Sequence, residues 1–132
     1  MQFLSLIFSS TISIVLFLLL LSFLVIIHEL GHFFAALWTR VRIEEFGIGI
    51  PPKAKVLFHW KGIPFTLNWL PLGGFVRMEG ENGPDEDLKQ TDIQVKKRKA
   101  HQSNFAPFYE KSKKARLVVL LAGVFVNFVF GM

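Results

Sequence analysis

His28, Glu29 and His32 are the residues whose types and spacing could do chemistry in this sequence. Histidines at i and i+4 lie about one helical turn apart on one face, so both imidazoles can reach a single ion. Glu29, beside the first, can then contact a water on that ion. Zn²⁺ lowers the pKa of a bound water to roughly 7, which turns it into a nucleophile at neutral pH. The setting is unusual, because every other residue from Phe3 to Trp38 is uncharged. A charged side chain at mid-membrane costs ~2.5–3.5 kcal/mol on insertion scales, so ionisable groups kept there mark a site. The competing reading is a polar cluster that glues this helix to a neighbour.

The element that must carry these residues is one long apolar helix. Residues 3–27 are Leu, Ile, Val and Phe with a few Ser and one Thr, whose hydroxyls can bond back to helix carbonyls. Twenty-five uncharged residues exceed the ~20 needed to span a bilayer. Phe33, Phe34 and Leu37 extend the pattern through the motif to about Trp38, a rod of ~54 Å at 1.5 Å per residue. The motif therefore falls towards the C-terminal end of the span, with Trp38 and Arg40 as interfacial anchors. A removable signal peptide is not expected: no Lys or Arg precedes position 40, and the apolar stretch exceeds an h-region of ~7–15 residues. A second apolar segment, Ala115–Met132, is broken only by Arg116 and Asn127. It is short for a span, so the chain is expected to stop inside a membrane helix.

Composition places the rest. A length of 132 residues corresponds to one domain, but 52% are hydrophobic and 15 are Phe. All 15 Lys and Arg lie between Arg40 and Arg116, so the net charge of +5 belongs to the middle alone. That pattern describes two membrane segments around a basic extramembrane region rather than a nucleic-acid binder. The run Lys96-Lys97-Arg98-Lys99 reads as a solvated loop near anionic lipid. The absence of cysteine excludes disulfides and thiol catalysis, so a metal must be held by His, carboxylate or water. Arg40, Arg42, Lys53 and Lys55 follow the first helix, and Lys111, Lys113, Lys114 and Arg116 lead into the second. The positive-inside rule puts residues 40–116 in the cytoplasm and the N-terminus outside, in a multi-pass protein of the inner or plasma membrane.

Between the helices the period changes to two. Val41–Ile43 and Phe46–Ile50 alternate, and Pro51-Pro52 is expected to stop them. Lys55–Trp60 and Ile63–Trp69 read as paired strands about a Lys61-Gly62 turn, Leu70–Gly74 as a break, and Phe75–Met78 as extended again. The sheet is apolar, with Leu57, Phe58, Trp60, Phe65, Leu67 and Trp69 among its residues. It is either a two-sided core packed on the helices or a hairpin that dips into the membrane beside the motif. Glu79–Asp92 reads as a solvated acidic loop and residues 93–104 as a basic, weakly patterned stretch. Phe105, Pro107, Phe108 and Tyr109 look like a point where the chain docks again.

Four blocks in order resemble the site-2 protease family of intramembrane zinc metalloproteases, in particular its bacterial PDZ-containing branch. They are His28–Phe33, Phe46–Gly49, Leu70–Met78 with Gly80-Glu81, and Phe108 with Lys111, Arg116, Ala122-Gly123 and Asn127. The resemblance implies His28 and His32 as ligands of a Zn²⁺ cofactor, Glu29 as general base, and a membrane-associated β-hairpin near 55–78. It also implies that an unwound substrate helix adds as a strand near the site, with Phe65 and Leu67 as substrate contacts. Family substrates are transmembrane segments of signalling proteins, often anti-sigma factors. Two features depart from the pattern: Gly123-Val124 stands where the branch usually has Gly-Pro, and the third ligand, an Asp in a Leu-Asp-Gly motif on a later helix, is absent, as is a PDZ domain.

The expected architecture is a membrane α-helical protein with a small β-hairpin insertion. Residues 1–39 form the first transmembrane helix, 40–79 the membrane-associated β-hairpin region, 80–110 a cytoplasmic loop, and 111–132 the truncated second helix. The expected function is zinc-dependent intramembrane proteolysis, with the chain an N-terminal fragment that is inactive alone. Its expected partners are a transmembrane protein substrate, the lipid bilayer and the remainder of the protease, with no nucleic acid. Asn127 is a polar contact for substrate or hairpin, or an interhelical hydrogen bond. Gly31 gives room for a close backbone approach or simple packing. The alternative function is a non-catalytic membrane module that binds transmembrane segments or partner proteins. A soluble zinc endopeptidase with a signal anchor would carry its motif outside the apolar segment, and here the motif is embedded in it.

Overall fold

The computed structural model describes residues 1–82, 96 and 99–132. Helix α1 runs over Gln2–Trp38, strand β1 over Ile43–Trp60 and strand β2 over Ile63–Met78. A single 3-10 turn at Phe108–Glu110 then leads into helix α2, Lys113–Gly131. Both helices are long and apolar enough to cross a membrane.

In α1 the hydroxyls of Ser5, Thr11 and Ser13 donate to the carbonyls of Gln2, Ile7 and Ser9 at 2.7–2.9 Å, so none is left without a partner on an apolar surface. The helix ends in a Schellman arrangement. Arg40 is left-handed at φ 57, its N–H donates to the Leu37 carbonyl at 3.2 Å, and Val41 N–H reaches back to Ala36 at 2.8 Å. Val41 is fully buried there, so the turn also aims the chain into the sheet.

The strands are longer than the sequence suggests. β1 continues through Pro51-Pro52, joined by a cis peptide bond, and β2 continues through Leu70–Gly74. The register explains both corrections. Pairing passes from Ile50↔Leu70 to Lys53↔Asn68, so the prolines occupy an irregularity at which no ladder N–H is needed. Phe46, Gly47 and Ile48 face Val76, Phe75 and Gly74 on one side and Phe65, Thr66 and Leu67 on the other. The first part of β1 therefore lies between the two halves of β2, residues 63–67 on one side and 74–78 on the other. Lys61 and Gly62, at φ 53 and 76, form the expected two-residue turn between Trp60 and Ile63.

One sheet face packs on the end of α1. The Phe33 ring, 1% exposed, sits 5.5 Å from both Phe46 and Phe65, and Phe65 stacks on Phe58 at 4.6 Å. Ile43, Ile63, Val76, Met78 and Val119 complete this core. Leu57, Trp69, Leu70 and Leu72 remain exposed and apolar.

Beyond the sheet the chain docks again as the aromatic residues suggest. Ala106 pairs with Val41 in a parallel bridge, its carbonyl accepting from Arg42 N–H and its N–H donating to the Arg40 carbonyl, and Phe108 N–H donates to Glu79. Gln102, 2% exposed, acts as a side-chain strand: its Oε1 accepts from Ile43 N–H and its Nε2 donates to the Ile43 carbonyl, each at 3.0 Å. Glu79 departs from the solvated loop assigned to it. It is 4% exposed and pairs with Arg42 at 2.6 Å and Lys99 at 3.0 Å. Burial pushes its carboxyl up, but the bonds from Arg42 and Lys99 outweigh that and hold it below the usual carboxylate range. The remainder of the expected acidic loop and much of the basic stretch, residues 83–95 and 97–98, lie outside the described residues.

Candidate metal centre

The two histidines meet as their spacing requires. His28 Nε2 and His32 Nε2 lie 3.0 Å apart, with the rings edge to face and their centroids 4.7 Å apart. Two imidazole nitrogens ~2.0–2.1 Å from one tetrahedral ion would stand about 3.3 Å apart, so a few tenths of an ångström of opening would seat an ion between them. His32 is already set for this. Its Nδ1 lies 2.7 Å from the Val119 carbonyl; a carbonyl only accepts, so this contact suits the tautomer that donates from Nδ1 and leaves Nε2 for an ion. An outer partner of this kind fixes the tautomer of a ligating histidine.

Helix α2 supplies that partner by crossing α1 at close range. A Cβ on Gly31 would stand 2.7 Å from the Ala122 carbonyl oxygen, so only glycine permits the α2 backbone to approach there. This is the close approach anticipated for Gly31. A Cβ on Gly123 would stand 2.5 Å from His32 Nε2 and 2.7 Å from His28 Nε2. Gly123 therefore forms the floor of the space in which the nitrogens converge. Val119, Gly123 and Asn127 follow one another at i, i+4 and i+8, a single stripe along α2. Asn127 lies opposite the outer nitrogen of His28, its Nδ2 3.4 Å from Nδ1.

Glu29 is anchored from the sheet side, where its Oε2 accepts from Val76 N–H at 3.2 Å. Two helical turns earlier, Ser22 Oγ accepts from Gly73 N–H at 2.7 Å. Ser22 and Glu29 thus occupy donors of the β2 margin that would otherwise face an apolar surround. They also fix the sheet relative to the motif. Ser22, Gly123, the Val76 amide and the Val119 carbonyl were not singled out for these roles in the sequence. Two of the contacts are backbone atoms with no signature, whereas Gly123, four residues before Asn127, does leave a trace.

The other sequence candidates fall elsewhere. Phe65 is held in the aromatic cluster with Phe33, Phe46 and Phe58, and Leu67 is 37% exposed. Among the described residues no group of three His, Cys, Asp or Glu could hold a metal. The donor set present, two imidazoles and an adjacent carboxylate, fits Zn²⁺ as far as it goes and leaves one ligand to be supplied.

Comparison with known proteins agrees with this chemistry. The profile of peptidase family M50 matches residues 16–132. A protein of Helicobacter pylori strain J99, named a candidate zinc metalloprotease, is 34% identical over 116 residues, covering 86% of this chain and 29% of its own. Its namesake in Thermotoga maritima is 37% identical over 120 residues, covering 89% and 21%. Another in Clostridium acetobutylicum is 32% identical over 120 residues, covering 91% and 30%. The chain thus spans between about a fifth and a third of the length of these curated relatives. With that match along most of its length, the chain belongs to peptidase family M50, the site-2 protease family.

Proposed function

We propose that these residues form the first part of the active site of a zinc-dependent intramembrane endopeptidase. The observation that carries this is the convergence of the His28 and His32 Nε2 atoms beside Glu29, on a helix apolar enough to span a bilayer. His28 and His32 would hold the ion, with an Asp from a later helix as the third ligand. When bound, Zn²⁺ supplies Lewis acidity that acidifies water and stabilises charge on a carbonyl oxygen. Glu29 takes a proton from the attacking water and later passes one to the leaving amine. The Val76 amide orients Glu29 during this exchange.

The substrates we propose are transmembrane segments of signalling proteins such as anti-sigma factors. An unwound segment would add as a strand to the apolar sheet, with the exposed Leu67 a nearer contact than the packed Phe65. The basic residues from Arg40 to Arg116 favour a cytoplasmic placement of that region in a cell membrane, with the N-terminus outside. The remainder of the protease, including a PDZ domain, would complete the enzyme. The presence of only two ligands among the described residues favours a second reading for these 132 residues in isolation, a module that binds membrane segments without cutting them.

Glu29→Gln in the full-length protein is the test. The amide keeps an oxygen for Val76 N–H but cannot take up the proton. Cleavage of a model transmembrane substrate should fall by at least the ~10²–10⁴-fold typical of general-base loss, with zinc content unchanged. Undiminished cleavage with full zinc would remove Glu29 from the mechanism.

A further inference from the structure

The segment that leaves α1 and the segment that enters α2 are held side by side. The Arg40 carbonyl accepts from Ala106 N–H at 3.1 Å, and Arg42 N–H donates to the Ala106 carbonyl at 2.9 Å. After Ala106 the chain makes the single turn Phe108–Glu110 and starts α2 at Lys113, with Ser112 as its cap. The bridge between Val41 and Ala106 thus sets Arg40 and Arg42 beside the partly buried Lys111, on which both guanidinium charges act.

Cations gather at this junction without anions to match. Burial, then the charges of Arg40 and Arg42, push the Lys111 ammonium below its ordinary value, and Glu110 offsets them only in part. Glu79 is already taken by Arg42 and Lys99. The first turn of α2 holds Lys113 and Lys114 and no acidic residue, although the positive end of a helix dipole favours the opposite sign. None of Arg40, Lys111, Lys113 and Lys114 makes an ion pair among the described residues. Arg40 also occupies a left-handed position, φ 57, where glycine is the usual residue, so a guanidinium is kept there in spite of backbone strain. Like charges this close are unfavourable, and one bound anion relieves them together.

The place of the cluster selects the anion. Trp38, 80% exposed, precedes Arg40 by two residues, and one turn beyond Lys113 the flank of α2 is exposed and apolar at Leu117, Leu120 and Leu121. A small ion in solution makes no use of that flank, whereas a phospholipid sets its phosphate among the cations and its acyl chains along the leucines. We infer that Arg40 and Lys111 hold the headgroup phosphate of an anionic phospholipid where the end of α1 meets the start of α2, with Lys113 and Lys114 beside it. The inference rests on both helices crossing a membrane and not on the zinc chemistry. It gives the helix pair a second tie: the close approach of Gly31 to Ala122 joins it within the span, and the lipid phosphate joins it at the interface.

The experiment titrates the full-length protein in neutral detergent with dioleoylphosphatidylglycerol or dioleoylphosphatidylcholine and reads bound lipid by native mass spectrometry. The wild type should bind the phosphatidylglycerol in preference. Arg40→Gln and Lys111→Gln should each weaken that binding ~5-fold and together ~25-fold, the loss expected of one and of two cations near an anionic headgroup. Lys111→Arg, which keeps the charge, should bind like the wild type, and so should Lys55→Gln, which removes the same charge from the sheet. Equal affinity of the wild type for the two lipids, or an equal loss in Lys55→Gln and Lys111→Gln, would overturn the site. Displacement of the lipid by millimolar inorganic phosphate would show a free-phosphate site and overturn the lipid assignment. Chelator competition for Zn²⁺ on the same samples separates the two readings: no lipid preference with zinc binding intact overturns this inference alone, and lipid preference without zinc binding upholds it and overturns the zinc site.

Discussion

Gly123→Ala should separate metal binding from folding, because it weakens the first and leaves the second nearly unchanged. The new Cβ would lie 2.5 Å from His32 Nε2 and 2.7 Å from His28 Nε2, against an ordinary contact of about 3.5–4.0 Å for carbon. The rings would have to retreat by roughly 1 Å, twice the ~0.5 Å tolerance of a productive site. They are half-buried side chains at the helix pair, so without metal they can turn away, giving up the bond from His32 to the Val119 carbonyl at a cost of about 0.5–1.5 kcal/mol. Alanine is also favoured over glycine in a helix interior by roughly 0.5–1 kcal/mol. With metal bound, the rings cannot retreat, and the overpacking costs about 1–3 kcal/mol, which is roughly 5–150-fold in affinity at 1.4 kcal/mol per decade. Chelator competition should therefore show weakened Zn²⁺ binding, while metal-free unfolding in detergent shows stability within about 1 kcal/mol of the wild type, the helix gain and the lost bond nearly cancelling. If Gly123→Ala bound Zn²⁺ like the wild type, the convergence point beside Gly123 would not be the metal seat.

Two further outcomes follow from the packing and the charges. Glu79 has a folded pKa below its unfolded value, so between the two values the unfolded chain binds more protons and stability rises with pH. The contribution is full above the ordinary carboxylate value of ~4.3 and lost as pH falls through the lowered one. Urea titrations from pH 7 to 3 should show that dependence in the wild type and a weaker one in Glu79→Gln. Phe65→Ala should cost about 3–5 kcal/mol of stability as an aromatic deletion from a packed cluster, whereas Leu67→Asp should leave unfolding nearly unchanged and lower cleavage of a membrane substrate. The reverse pattern in unfolding and protease assays would place the substrate contact at Phe65.

The geometry of the motif was legible wherever a side chain and its spacing carry it. His28 and His32 stand one turn apart with Glu29 beside the first whatever surrounds them, and a run of apolar residues from Phe3 onward has no stable form but a helix or a buried strand. Lys61-Gly62 announced its turn because both residues must adopt positive φ. What was hidden depends on partners distant in sequence. Pro51-Pro52 looks like a stop until the register shows no ladder donor is needed there. Glu79 looks solvated until Arg42, 37 residues earlier, and Lys99 arrive to neutralise it. Gln102 looks like loop until it meets the bare edge of Ile43. The Val119 carbonyl is a backbone atom that any residue would supply, so no residue type could reveal it.

The most direct test of the central claim is the zinc content of the full-length protein with and without its histidines. The account predicts one Zn²⁺ per chain in the wild type, with nitrogen and oxygen donors alone by X-ray absorption, since the ligands it proposes are two histidines and an aspartate. His28→Ala and His32→Ala should each lose the metal while the helices remain. Full zinc in the double variant His28→Ala/His32→Ala would show that the ion is held elsewhere and contradict the account.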